Sequence, residues 1–393
     1  MTSNSKRPLE GVTIIDLTRV LAGPFCTMIL ADHGARVIKV ELPDGGDDAR
    51  AFGPFVNGES GYFSSINRGK ESIALDLKCA ADRAIFEKLL EHADVLTENF
   101  RPGTMDRFGY DWETLHARFP QLIYGSVSGF GQQGSPYRDR AAYDMVVQGM
   151  SGIMSVTGQP GGPPTRVGVS IGDLSAGLFL TIGVVMALYK RLTGGTGSQI
   201  DIAMLDCQLA LLEYSAMRHL ATGEVPGPVG SYRPAIAPPF GAFRTADGHM
   251  VITTGNDRLF ARLCVVLGAP LLAQDPRFAG SEGRKDHETE LTEELESLLT
   301  GRTTAQWCEL MVEHGVPCGP INTVDRMLAD PHVAGRAMLI DAEGGRGPAK
   351  LVGTPLKFSD AAPLRSVRAA PVLDQDRERI LSDFGVSRAE AAR

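Results

Sequence analysis

Short, almost continuous apolar stretches alternate with longer segments whose apolar positions recur at helical spacing through the first half of the chain. The short ones, at residues 12–16, 36–40, 72–77, 93–96, 122–127 and 199–202, are rich in Ile, Val and Leu and read as strands buried on both faces. The longer ones, at 24–33, 81–92, 112–119 and 173–192, read as helices. Residues 12–40 make a strand–helix–strand unit, and a crossover of that kind requires parallel pairing. Its repetition predicts an α/β fold, an open parallel sheet covered by helices on both sides.

The pattern changes after Ala221. Residues 222–240 are rich in Pro and Gly and read as a linker. Beyond it, Asp247-Gly248 between two alternating stretches signals a hairpin, and helical periods follow at 259–267, 289–299 and 304–314. The expected organisation is a large domain over 1–221, a smaller α+β domain over 241–330, and a return of 331–393 to the large domain.

Composition narrows the function. A chain of 393 residues with 43% hydrophobic and 22% charged content is an ordinary globular protein. Its net charge of −8 argues against nucleic acid, which needs a basic face to displace counterions. The polar first ten residues lack the apolar core of a signal peptide. The longest apolar run, Leu174 to Tyr189, falls short of the ~20 residues of a bilayer span and reads as a buried helix, so no membrane is expected. Six cysteines without paired spacing, and histidines without ligand spacing, fit a cytoplasmic protein with no metal.

Several motifs invite chemistry. Glu41 at the end of the second strand suggests a ribose ligand, but Leu17-Thr-Arg-Val-Leu-Ala-Gly-Pro24 holds no G-x-G-x-x-G, and Pro24 removes an N–H from the helix start. Gly129-Phe-Gly-Gln-Gln-Gly134 matches that fingerprint after a strand, yet no apolar helix follows it, so it reads as a loop lining a cleft. No Gly-x-Ser-x-Gly elbow is present. Asp173 stands out, behind Gly172 at the entrance of the apolar helix and after the loop 158–165. A carboxylate there is either a cap for the first turn or a nucleophile held ionised by the helix dipole.

Read in order, Leu21-Ala-Gly-Pro24, Val37-Ile-Lys-Val-Glu41, Ser72-Ile-Ala-Leu-Asp-Leu-Lys78, Glu98-Asn-Phe-Arg-Pro-Gly103 with Arg107, Gly172-Asp173, Pro317-Cys-Gly-Pro320 and Val352-Gly-Thr-Pro-Leu-Lys-Phe-Ser359 resemble the class III coenzyme A transferases, from residue 9 to about 360. The resemblance implies a Rossmann-like large domain, a smaller domain between its two chain segments, and an interlocked homodimer. It implies Asp173 as nucleophile, with acyl-CoA and a small carboxylic acid as partners and no cofactor beyond the thioester substrate itself. The family's CoA contacts fall on Val20, Leu21, Leu75, Lys78, Asn99, Phe100, Arg107 and the segment 141–144 with Tyr143. Lys78 and Arg107 also make sense independently, as cations for a polyphosphate on an acidic chain; otherwise they are solvated surface charges.

Three departures qualify the match. Leu42 and Ala141 stand where some members carry Arg and Lys, which shifts phosphate or adenine contacts toward Arg68, Lys70 or Arg101. The glycine-rich shielding loop of formyl-CoA transferases is not recognisable, and the linker around Tyr232, Arg233 and Pro234 takes its place. By its resemblance to members using succinyl-CoA and dicarboxylic acids, the chain is expected to act on a small dicarboxylate, with Tyr62 and Arg233 as candidates for its distal carboxylate. The rival reading within the same fold is an α-methylacyl-CoA racemase. It needs a histidine where this chain has Tyr143, a poor base near neutral pH. A non-catalytic CoA-binding protein, with Asp173 only a cap, is the third reading.

Overall fold

Neighbouring residues of each central strand serve different cores. Ile14, Val37 and Val95 belong to one apolar cluster, whereas Ile15, Ile38 and Leu96 belong to another. Side chains alternate across a strand, so a run apolar at every position needs cover on both faces. The computed structural model, which describes residues 6–233 and 235–386, provides that cover.

The described chain divides into two compact units: residues 6–154, 166–224 and 331–386, and residues 155–165 with 225–330. The first is built on β1 (Thr13–Asp16), β2 (Arg36–Glu41), β3 (Glu71–Ala74), β4 (Val95–Glu98), β5 (Ile123–Ser128) and β6 (Gln199–Ala203). They pair in the order β3-β2-β1-β4-β5-β6, all parallel. This is the doubly wound Rossmann order, with its reversal between β1 and β4, where such sheets open a crevice at their carboxyl ends.

On one face lie α1 (Ala22–Asp32) and α4 (Ile171–Leu192), the latter packed also against α3 (Asp144–Ser151) and α5 (Met204–Leu211). Gly177 permits the close crossing, since a Cβ there would stand 2.5 Å from the Ala22 carbonyl oxygen. On the other face α2 (Ala80–Glu91) contributes Ile85, Phe86 and Leu89, and a C-terminal helix at Arg377–Asp383 contributes Ile380 and Leu381. The returning chain also covers the edge of β3: Asp376 and Asp374 accept the N–H groups of Ser72 (3.0 Å) and Ala74 (2.8 Å).

Beneath the carboxyl ends of the strands sits a buried ionic network. Lys70 donates to Asp16 (3.0 Å), Thr27 (2.7 Å), Asn67 (2.9 Å) and the Pro24 carbonyl (3.2 Å). Burial would raise the Asp16 carboxyl, but the ammonium groups of Lys70 and Lys39 and the hydroxyls of Thr18 and Thr27 hold it down at about 2. Lys39 pairs with Asp47 (2.8 Å) and donates to the Thr18 carbonyl (2.6 Å), which fixes the loop after β1.

The second unit is the smaller. The sequence hairpin forms there, Phe240–Arg244 pairing with His249–Thr253 so that Arg244 faces His249, and Cys318–Pro320 adds a third antiparallel strand. Helices Asp257–Val266, Glu288–Leu299 and Thr304–Glu313 close a core of Phe243, Met250, Phe260, Leu263, Leu295 and Trp307. In the first unit, residues beyond 330 add a small sheet in which Leu339–Glu343 pairs with Lys350–Val352 and Ser366–Arg368.

Candidate active site

The helix carrying Asp173 starts earlier than its apolar pattern suggests. It begins at Ile171, behind Ser170, which makes no side-chain capping bond. Asp173 is therefore inside the first turn, and its carboxylate accepts no hydrogen bond among the described residues. The capping task falls to Asp144, whose Oδ1 accepts the Gly172 N–H at 2.8 Å while its Oδ2 accepts from Gln148 at 2.7 Å. A cap supplied from α3 leaves the Asp173 oxygens uncommitted.

Packing behind Asp173 is tight. A Cβ at position 172 would meet Gln208 Nε2 at 2.6 Å, Asp144 Oδ1 at 2.9 Å and Val147 at 3.1 Å, so only glycine lets α3 and α5 close on this turn. Gln208 is fully buried, and its Nε2 has no hydrogen-bond partner among the described residues. Burial and the adjacent Asp144 charge raise the Asp173 carboxyl to about 7. Tyr62, in the helix Gly61–Asn67, belongs to the same cluster. Burial, then Asp173, Asp47 and Asp144, push its phenol up to about 12. No histidine contributes to either shift.

The amides C-terminal to Asp173, natural candidates for an oxyanion hole, are spent within the helix: the Leu174 N–H donates to the Ser170 carbonyl at 2.9 Å. The Gly129–Gly134 loop is likewise no phosphate cradle. Asp201 accepts the Gln132 N–H (2.8 Å) and Ser128 the Gly131 N–H (2.9 Å).

A groove of about 250 Å³ opens over the carboxyl ends of β1 to β4. Among the sequence-derived contacts, Leu75, Lys78 and Phe100 line it. The sequence did not single out Arg19, Asp76, Thr104 and Phe108, which also line it, and Leu42 adds an apolar wall. Val20, Leu21, Asn99 and Arg107 are not in the lining. Val20 adopts φ 65°, costly for a β-branched residue, and is held there by Asp47, which accepts its N–H at 3.0 Å. Asn99 grips the preceding residue, accepting the Arg19 N–H and donating to its carbonyl, both at 2.7 Å. Leu21 precedes α1, and its carbonyl accepts the Phe25 N–H. Arg107 is exposed and donates to Thr104, a groove residue, at 2.9 Å.

Other expectations are corrected. Arg68 and Lys70 cannot meet a phosphate: Arg68 is buried against Asp32 (3.0 and 2.7 Å), and Lys70 is fully buried on Asp16. Arg101 is exposed. Glu41 is occupied by Arg50, both contacts 2.7 Å, and by Ser72. Tyr143, a CoA contact by resemblance, immediately precedes α3 and is 77% exposed, outside the groove lining. Arg233 lies in the second unit, where its carbonyl accepts the Ile236 N–H at 3.0 Å; Pro234 falls outside the described residues.

A Rossmann-ordered parallel sheet, with a groove at its carboxyl ends and a half-buried carboxyl at a helix entrance, has the architecture of an α/β enzyme. The chain belongs to CoA-transferase family III, whose family model matches residues 9–377. It is 46% identical to an acetyl-CoA:oxalate CoA-transferase of Acetobacter aceti over 98% of each chain. It is 42% identical to a succinate–glutarate CoA-transferase of Agrobacterium fabrum, covering 97% of this chain and 96% of that one. Among solved structures, a CAIB/BAIF family protein from Brucella suis superposes with a TM-score of 0.87 at 39% identity, over 97% of this chain and all of that one. The protein is a CoA-transferase that delivers CoA to a carboxylic acid.

Proposed function

We propose that Asp173 carries CoA between a small acyl-CoA and a small dicarboxylic acid through covalent intermediates. The observation that carries this reading is the Asp173 carboxylate itself, relieved of capping by Asp144 and free of hydrogen bonds among the described residues. Relatives named for succinate, glutarate and oxalate exchange support the substrate class.

In the first step Asp173 attacks the thioester carbonyl, the C–S bond breaks, and CoA leaves as thiolate, giving a mixed anhydride. The thiolate attacks the aspartyl carbonyl of that anhydride and the donor carboxylate departs, leaving an aspartyl–CoA thioester. The acceptor carboxylate then attacks this thioester, expelling thiolate and forming a second anhydride. Thiolate attack on the acceptor's acyl carbon releases the new acyl-CoA and restores Asp173. Every step exchanges one acyl bond for another, so no metal or redox group is called for. Ionised Asp173 is the attacking form, and the half-buried setting that raises its pKa also makes the carboxylate more nucleophilic. The groove over β1 to β4 suits the pantetheine and nucleotide, with Phe100, Leu75 and Leu42 as apolar walls and Lys78, Arg19 and Arg107 near its rim for phosphates. Tyr62, whose phenol feels the Asp173 charge, is a candidate to meet the acid substrate.

Asp173→Asn tests the reading. CoA exchange between succinyl-CoA and a panel of dicarboxylates should fall by about 10³ or more, as for removal of a nucleophile. Hydroxylamine added during turnover should convert Asp173 to a hydroxamate, found by peptide mass spectrometry. Wild-type rates in the variant would exclude the covalent path. Solvent deuterium entering a 2-methylacyl-CoA would instead favour the racemase chemistry.

A further inference from the structure

A second cavity lies at the far end of α1 from the catalytic groove. The helix begins at the carboxyl end of β1 and ends at Asp32, eleven residues or about 16 Å away. There an open cavity of about 430 Å³ is formed between the end of α1, the N-terminal segment and the chain from Thr354 to Ser366.

Its charge is unusual for this protein. Arg7, Lys357 and Arg365 line it, and none makes a salt bridge among the described residues. Burial, and after it the charge of nearby Arg336, lower the Lys357 ammonium against the pull of Asp32, and Lys357 donates to the Ala337 carbonyl at 3.4 Å. The one carboxylate in the lining, Asp32, is paired with Arg68 at 2.7 Å, although it still acts on His33 and Lys357. Burial lowers the His33 imidazole against the pull of Asp32, with Arg7 and Lys357 adding to the lowering, and its Nε2 lies 3.1 Å from the Thr354 hydroxyl. Three cations against one carboxylate that is already shared with Arg68 leave the lining net positive on a chain of net charge −8, and a multivalent anion would offset that excess. One wall is apolar: Phe358, edge-on to His33 at 5.5 Å, with Leu356 and Leu364. A bare inorganic ion would leave that wall wet.

We infer that this cavity is a binding site for a small organic oxyanion, carboxylate or phosphate, whose ring or aliphatic body rests on Phe358 and Leu364 while Arg7, Lys357 and Arg365 hold its charge. It is separate from the groove over β1 to β4, with which it shares no lining residue.

Binding is measured on the full-length protein by calorimetry and thermal shift with citrate, phenyl phosphate and inorganic phosphate, each with and without saturating CoA. Phenyl phosphate is expected to bind more tightly than inorganic phosphate, and binding should persist when CoA fills the groove. Lys357→Met and Arg365→Ala should each weaken it about tenfold, the scale of one charge-assisted hydrogen bond. Both variants should keep basal transfer activity, and Lys78→Ala should leave this binding unchanged. The comparison of citrate with phenyl phosphate decides between the carboxylate and phosphate sources. Loss of all binding when CoA is present, loss in Lys78→Ala instead of Lys357→Met, or equal affinity for phenyl and inorganic phosphate would overturn the inference. Exposed Arg365 provides a variant that does not disturb folding if Lys357→Met does. A failure here leaves the Asp173 chemistry untouched, since neither readout uses the transfer reaction.

Discussion

Ionising Asp173 costs more than ionising a carboxyl in water, because burial and the Asp144 charge both oppose it and no cation or N–H compensates among the described residues. Attack requires the ionised form, so kcat/KM should fall about tenfold per pH unit below an apparent pKa near 7. Asp144→Asn, which keeps the side chain's size and one acceptor oxygen for the Gly172 N–H but removes the charge, should move that limb toward acid, as a pH–rate profile would show. The sign for stability is the opposite of an ordinary salt-bridged carboxylate. With its pKa raised in the folded state, the native protein binds a proton that the unfolded chain has lost between about pH 4 and pH 7. The contribution is present below that window and lost as pH rises through it. Asp173→Asn should therefore stabilise the protein at pH 8 by roughly 1–2 kcal/mol, less than the full shift would give because the group still meets solvent. The gain should vanish at pH 4. Urea midpoints at the two pH values check it.

At the scale of elements, glycine sets how closely helices approach. Gly177→Ala would drive a methyl into the Ala22 carbonyl, backbone that cannot swing aside, and should cost about 1–3 kcal/mol in a denaturant titration. Gly172→Ala meets side chains instead. It should displace Asp144 and Gln208, cutting transfer activity more than stability. The same contrast explains what the sequence revealed. Strands such as Arg36–Glu41 and the long apolar helix were legible because their signal is local and periodic. The start of α4 was not, because its cap comes from Asp144, nearly thirty positions earlier. The eight residues of α3 were overlooked, though Asp144 and Gln148 four apart and Gly152 in the left-handed region mark them in retrospect. The fates of Arg68 and Lys70 were equally hidden: their partners Asp32 and Asp16 are distant in the chain, and only folding shows that these cations are buried rather than offered to ligand.

At the scale of the whole molecule, α4 presents a problem that one subunit does not solve. It is long and apolar enough by composition to cross a membrane, and only its inner side packs on the first unit's core. Leu178, Ile182, Val185, Met186 and Tyr189 lie exposed along the other side. Leu209 and Leu211 of α5 and Met217 and Leu220 of the following helix Glu213–Thr222 are exposed as well. Apolar positions repeated along consecutive helices form a contiguous exposed face rather than isolated surface residues. We propose that a second copy covers it, as the interlocked homodimer would. Light scattering should then give about twice the 42.1 kDa chain mass, and Ile182→Glu, which places a charge on that face, should shift the protein toward monomer or aggregate. Interlocking makes a stronger demand than dimerisation. Two chains that pass through each other cannot separate without at least one opening, so differently tagged dimers mixed at nanomolar concentration should not exchange subunits over hours. After joint unfolding and refolding, mixed dimers should form at the statistical proportion. Rapid exchange of native dimers would mean that the exposed face of α4 pairs side by side, with the chains never threaded.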